Sequence, residues 1–209
     1  MPLSKIEWTK EQSGWALWHI NEPEEVLAMQ LGPEVCPQDI VSKSKRLEWM
    51  AGRILIRTLV EYAGLIYEGL YKDEFGKPFL VNHHHSISLS HSYPHVAAQI
   101  DSFYQVGIDV EQPKDKLLKI AHRVLSKTEE IDAGNNIQKN CVYWCAKEAL
   151  YKIYGKRGLS FSEHLSIHSF VLNKGGSLSG KISAPGNDEL INLEYSIEDD
   201  FVLVYTKTP

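Results

Sequence analysis

Cysteine is scarce in this 209-residue chain: Cys36, Cys141 and Cys145 are the full set. An odd count without a C-x₂-C pair argues against a disulfide framework and a thiolate zinc site, so reduced thiols in a cytoplasmic protein are expected. Long apolar runs are missing too. None reaches the roughly eighteen residues of a membrane helix, and Met1 to Trp15 mixes charges where a signal peptide would be uniformly apolar. No membrane partner is expected. There is no excess of positive charge: 22 Lys and Arg stand against 27 Asp and Glu, a formal net charge of -5. Nucleic acid is therefore not an expected partner, and a polyanionic ligand would have to be met by cations gathered locally. Neither a short repeat, nor a low-complexity tract, nor a Pro/Ser-rich linker interrupts the chain.

What is present is ordinary for a packed protein. Hydrophobic residues make up 43%, aromatics 10% and charged residues 23%, enough for one large core or two small ones. Trp15 to Ile20 reads as a strand. From Lys45 to Tyr62, apolar residues recur at Leu47, Met50, Ala51, Ile54, Leu55, Thr58 and Leu59, a helical stripe stopped by Gly64, with Arg46, Arg53 and Arg57 on its other flanks. Phe75-Gly76-Lys77-Pro78 is a turn. Ser86 to Ser90, Val96 to Ile100 and Gln105 to Val110 read as strands. Lys114 to Leu125 is a second helix, Ser126-Lys127-Thr128-Glu129 matches a capping box, and Lys139 to Tyr154 is a strong helix ended by Gly155. Leu165 to Leu172, Ser177 to Ser183, Leu190 to Ile197 and Phe201 to Thr206 suggest an antiparallel meander with turns at Gly175-Gly176, Pro185-Gly186 and Asp199-Asp200. The expected class is α+β: two similar halves, residues 1–103 and 104–209, each an antiparallel sheet packed with helices, the second carrying the acidic residues described next.

Four short constellations could carry chemistry. In Gly107-Ile108-Asp109-Val110-Glu111, strand alternation puts Asp109 and Glu111 on one face and Ile108 and Val110 in the core. Two adjacent carboxylates repel, a pair most easily tolerated around a cation, and hard oxygen donors suit Mg²⁺ rather than zinc. An ordinary half-buried strand with solvent-facing acids is the other reading. In Trp144-Cys145-Ala146-Lys147-Glu148-Ala149-Leu150-Tyr151-Lys152, Glu148 and Lys152 share a helix face at i, i+4. A surface ion pair contributing about 0.3–0.5 kcal/mol would explain them equally. Ser88-Leu89-Ser90-His91-Ser92 places a histidine between serines, to bind phosphate or to finish a turn. Gly76-Lys77-Pro78 alone looks like any exposed turn. The triplet His83-His84-His85 offers a zinc site or, with no cysteine nearby and no group to orient the rings, a polar loop.

Taken in order, GKP, SLSHS, GIDVE and WCAKEALYK resemble the 4′-phosphopantetheinyl transferase superfamily. The length and two-halved chain look like its surfactin-synthetase-activating (Sfp-like) type. The resemblance spans about Trp15 to Thr206, with the specific matches between Gly76 and Lys152. It implies transfer of 4′-phosphopantetheine from coenzyme A to a serine of an apo acyl or peptidyl carrier protein, with release of 3′,5′-ADP, by a monomer. Asp109, Glu111 and Glu148 would be Mg²⁺ ligands, with Glu148 and Lys152 catalytic. Lys152 would sit on the diphosphate with Lys147 beside it. Ser90 and His91 would contact the nucleotide's phosphates, Lys77 with Gly76 and Pro78 the adenine end, and Arg46 and Arg53 the 3′-phosphate. Trp49 departs from relatives that use a small hydroxyl residue there. The basic, amphipathic stretch from Lys114 to Arg123 is either part of a carrier dock or a core helix with a solvated lysine face. The competing function is a coenzyme A- or nucleotide-binding regulatory protein that has lost catalysis.

Overall fold

The computed structural model describes residues 3–10, 12–184 and 187–208. They form an α+β protein of antiparallel sheets packed with helices. Two compact units result: residues 1–73 with 78–105, and residues 74–77 with 106–209. No helix among the described residues is long and apolar enough to cross a membrane.

The first unit contains β1 (Leu3–Lys10), β2 (Ser13–His19), α1 (Glu24–Leu31), α2 (Lys43–Tyr62), the small hairpin of β3 (Leu70–Lys72) and β4 (Pro78–Leu80), then β5 (Ser86–Ser92) and β6 (His95–Asp101). Its main sheet runs β1-β2-β6-β5, antiparallel throughout. The apolar stripe expected on α2 is what the helix buries: Leu47, Met50, Ala51, Ile54, Leu55 and Leu59 join Trp18, Val96, Ala98 and Ile100 in one core. Gly52 sits where α2 crosses β5. A Cβ there would stand 3.0 Å from the Leu89 side chain. Helix α2 ends as expected, Gly64 adopting φ +74° while Leu65 N donates to Val60 O at 3.1 Å. Strand β1 and helix α1 have weak sequence signals. The first is an edge strand whose Lys5 and Glu7 stay solvated, and α1 inserts only Leu27 and Leu31 into the core.

The second unit contains β7 (Ile108–Glu111), α3 (Lys116–Val124), α4 (Lys127–Ala133), α5 (Ile137–Tyr154), a short α6 (Phe161–His164), β8 (Leu165–Ile167), β9 (Gly175–Ala184), β10 (Asn187–Ile197) and β11 (Val202–Thr206). The sheet order is β7-β11-β10-β9-β8, with every pair antiparallel. Helix α5 lies on it, burying Cys141, Val142, Cys145, Ala149, Leu150 and Ile153 against Leu193, Val202 and Val204. The capping box forms: Ser126 Oγ accepts from Glu129 N while Glu129 Oε2 accepts from Ser126 N at 2.7 Å. Gly155 closes α5 in the left-handed region.

One expected turn and one expected strand differ. Gly175 and Gly176 lie inside β9, paired with Ser196 and Tyr195. Their role is clearance, because a Cβ on Gly176 would stand 3.2 Å from the Tyr195 ring and one on Gly175 3.0 Å from the Tyr195 carbonyl. Leu165 to Leu172 keeps strand form only to Ile167. The turn expected at Asp199-Asp200 forms, Glu198 N donating to Phe201 O at 2.9 Å, and Pro185-Gly186, expected as a turn, lies outside the described residues.

Candidate active site

Strand β7 is pinned at its start. Thr206 Oγ1 accepts from Gly107 N at 2.7 Å and donates to Gly107 O at 2.9 Å. Glycine is required at 107, since a Cβ would lie 2.0 Å from the Ala149 carbonyl of α5. This close approach of strand and helix backbones puts the residues on either side of Ala149 against those following Gly107.

Asp109 pairs across the ladder with Val204, and Glu111 with Val202. Side chains directly opposite share a face, and Val202 and Val204 belong to the core beneath α5. The two carboxylates therefore face the helix. Ile108 and Val110 are buried on the opposite face. The sequence reading placed the core on the side of those aliphatics, because alternation gives two faces without saying which one a helix covers.

Lys152 Nζ lies 2.7 Å from Asp109 Oδ1 and donates at 2.7 Å to the Ile108 carbonyl. Glu111 Oε2 meets Lys116 Nζ at 3.1 Å, and its Oε1 accepts from Gln112 N at 2.9 Å. Glu148, one turn before Lys152, has its carboxyl pushed up to about 7. Burial is the main cause, followed by the charge of Asp109, with Lys152 opposing and Glu111 adding. The three acidic side chains thus lie within each other's fields, from two segments 37 residues apart (148 minus 111). Their donor chemistry fits a hard divalent cation. Asp109 and Glu111 are held by separate lysines, and among the described residues no three His, Cys, Asp or Glu side chains are grouped closely enough to hold a metal ion. Beneath the cluster, Cys145 is fully buried. Burial, with Cys141 and Asp109 beside it, raises its thiol well above the ordinary value.

Lys147 does not join this cluster. Its side chain is 0% exposed, and its ammonium meets Glu129 Oε2 at 2.6 Å and the carbonyls of Val124 and Phe161 at 2.9 Å each. Three donors have three acceptors. The expected place of Lys147 beside Lys152 on the diphosphate is not what the structure gives: a lysine so enclosed lies on another flank of α5. Lys77 lies in this unit: Nζ donates to the Ile153 carbonyl at 3.1 Å, its stem lying over Gly155.

In the first unit, Ser90 is buried and His91 half-exposed on β5, and Pro78 opens β4. Arg46 is committed within its own unit, its Nε and Nη2 bonding Glu24 at 2.6 and 3.0 Å and Nη1 the Val41 carbonyl at 2.6 Å. Arg53 stands 3.7 Å from Glu34 and over the Trp49 ring at 5.0 Å. His83 Nε2 meets the Ile66 carbonyl at 2.8 Å and His85 Nε2 the Gln12 amide oxygen at 3.2 Å. Sequence reasoning missed Glu48, Lys45 and the Lys116–Glu111 pair. An acidic residue beside Leu47, three positions after a lysine and inside an apolar stripe, was the available signal for the first two.

Comparison with known proteins bears on the second unit above all. A relative from Haemophilus influenzae strain Rd, named "Putative 4'-phosphopantetheinyl transferase", is 29% identical over 113 residues, covering 49% of this chain and 48% of that protein. The chain thus spans about half the length of this curated relative. Residues 105–205, which hold Asp109, Glu111, Glu148 and Lys152, match the family model described as the 4'-phosphopantetheinyl transferase superfamily.

Proposed function

We propose that this protein transfers 4′-phosphopantetheine from coenzyme A to a serine hydroxyl of an apo carrier protein, as an Sfp-like member of that superfamily. The observation that carries the reading is Lys152 Nζ standing 2.7 Å from Asp109 Oδ1, with Glu148 one turn away on the same helix, inside the stretch that matches the superfamily model. Carboxylates from a strand and a distant helix, near enough to act on one another's charge, are donors of the kind a divalent cation takes. Asp109, Glu111 and Glu148 would hold Mg²⁺, which supplies positive charge to the phosphate oxygens as charge builds on them. Lys152, released from Asp109, neutralises the departing phosphate. Glu148, whose carboxyl is raised to about 7 in the metal-free protein, is the proposed acceptor of the serine proton, directly or through a water. The serine oxygen forms its bond to the β-phosphorus of coenzyme A. The bond from that phosphorus to the bridging oxygen breaks, and 3′,5′-ADP leaves. Ser90, His91, Lys77 and Pro78 are the proposed contacts to the nucleotide half, with Arg53 and Arg46 as weaker candidates, Arg46 least so because of its bonds to Glu24.

The exposed face of α3 bears Lys116, Lys119, His122 and Arg123 over the buried Leu117 and Val124. It is the proposed contact for an acidic carrier. The test mixes protein, coenzyme A, Mg²⁺ and several apo carriers. Covalent gain of the phosphopantetheine mass by a carrier is expected, and its loss in Asp109→Ala and Glu148→Ala proteins that remain folded. Magnesium-dependent coenzyme A binding without any carrier modification would mark a binding protein instead, and retained turnover in either variant would remove the metal-site assignment.

A further inference from the structure

Glu48 is a carboxylate with 1% exposure on α2, flanked by the core residues Leu47, Met50 and Ala51. A charge so placed is costly unless paired and hydrogen-bonded, and its two oxygens are partnered differently. Oε1 accepts from Tyr93 N at 2.9 Å. Oε2 lies 2.6 Å from Lys45 Nζ and 3.4 Å from His91 Nδ1, ion-pair contacts that lack hydrogen-bond geometry. One cation neutralises one carboxylate. Here two converge on a single oxygen, and both reach outward, Lys45 with 57% and His91 with 44% of the side chain exposed. With the imidazole protonated, the group carries one net positive charge at the surface, above a fixed buried anchor.

We propose that Glu48 is the positioning residue of a phosphate site in the first unit, holding Lys45 and His91 toward one phosphate of coenzyme A. The inference rests on the reading of His91 as a phosphate contact. The carboxylate beside Nδ1 sets which edge of the ring faces Glu48, so Nε2 is the nitrogen proposed to meet the phosphate. Lys45 supplies the second charge. Arg46, the adjacent residue, has its guanidinium on Glu24 and the Val41 carbonyl, and Arg53 lies against Glu34 and Trp49. The lysine, which the sequence reading did not name, is thus the α2 cation held next to the histidine.

The test is a mutant cycle in the full-length protein, reading KM for coenzyme A and kcat for carrier modification separately. Glu48→Gln keeps an oxygen for Tyr93 N and removes the charge. It is expected to raise the coenzyme A KM about tenfold with kcat near wild type. His91→Gln is expected to do the same, and the double variant to fall well short of the product of the two effects, because Glu48 acts in part through the imidazole. Lys45→Met raises KM several-fold. Multiplying effects of Glu48→Gln and His91→Gln, or an unchanged KM in a folded Glu48→Gln protein, overturns the proposal. Should Glu48→Gln fail to fold, ¹⁵N spectra of the wild type decide. A protonated Nδ1 on His91 supports the dyad, and a bare Nδ1 refutes it. A wild type that neither binds coenzyme A nor modifies a carrier defeats the transfer reading itself, which these variants leave distinguishable.

Discussion

Helix α5 carries two lysine–carboxylate pairs within two turns, and they are built in opposite ways. Lys147 and Glu129 are 0% and 3% exposed. Every polar atom of the pair is used: the ammonium meets Glu129 and two carbonyls, while Glu129 accepts from Ser126 N and, at 2.8 Å, from Ile167 N. Lys152 and Asp109 are 24% and 8% exposed, and beside them the Glu148 carboxyl takes no hydrogen bond from the described residues. The first arrangement is complete, so it joins α4, α5 and β8 and leaves nothing for a ligand. The second retains a carboxylate that burial and its neighbours disfavour as an anion. Closed polar networks serve the fold, and a frustrated one of the same residue types is where binding energy and chemistry can be added.

Breaking the closed pair should have the largest effect on stability. Lys147→Ala leaves the Glu129 charge buried without its cation and should cost about 3–5 kcal/mol, read as a lower urea midpoint. Burial lowers the Lys147 pKa while Glu129 opposes this, so the loss is not a surface-charge effect. The double change Lys147→Met with Glu129→Leu removes both charges and should recover part of the loss. If Lys147→Ala melts like wild type, the contrast between the pairs is unfounded.

The open cluster should respond in the reverse sense. Glu148 has its carboxyl raised from 4.5 to about 7 in the folded state. A raised value stabilises the fold fully below the unfolded value, and this contribution is lost as pH climbs through about 7. Metal-free protein should therefore weaken between pH 5 and 8, and Glu148→Gln should flatten that slope and gain about 1–3 kcal/mol at pH 8 while losing transfer activity. Thermal midpoints across pH measure it. Added Mg²⁺ should raise the wild-type midpoint at pH 8 and leave Glu148→Gln unmoved. A pH-independent wild type would sink the claim that this carboxylate is frustrated.

The sequence disclosed the open cluster more readily than the closed one. Strand alternation and i, i+4 spacing put Asp109 with Glu111, and Glu148 with Lys152, before any coordinates. Lys147 could not be sorted in this way. Its helix is apolar on several flanks, and what encloses the ammonium comes from Val124, Glu129 and Phe161, three separate places in the chain. The capping box was readable, but not that its glutamate also serves Lys147 and Ile167. The side of β7 that α5 covers was hidden for a similar reason, because both faces of that strand are buried. Gly175 and Gly176 misled, since glycine signals a turn and a close ring with equal force.

A smaller effect should separate the carrier from coenzyme A. Lys119 is exposed on α3, whereas Lys116 holds Glu111, so Lys119 is the cleaner position for charge reversal. Lys119→Glu should raise the carrier KM several-fold and leave the coenzyme A KM unchanged. Equal change in both would place α3 with the cluster rather than with a protein partner.

The smallest change tests how the closed pair is anchored. Ser126→Ala deletes the long bond of 3.4 Å from Glu129 N to the serine hydroxyl, but the reciprocal bond from Ser126 N to Glu129 at 2.7 Å survives. Cap removal typically costs about 0.5–2 kcal/mol. Glu129 stays fixed by Lys147 and Ile167 N, so the loss should fall at the low end, seen as a slightly lower urea midpoint with transfer rate unchanged. A loss as large as that of Lys147→Ala would mean the hydroxyl, not the ion pair, holds α4 against α5, reversing the order of importance argued from the distances.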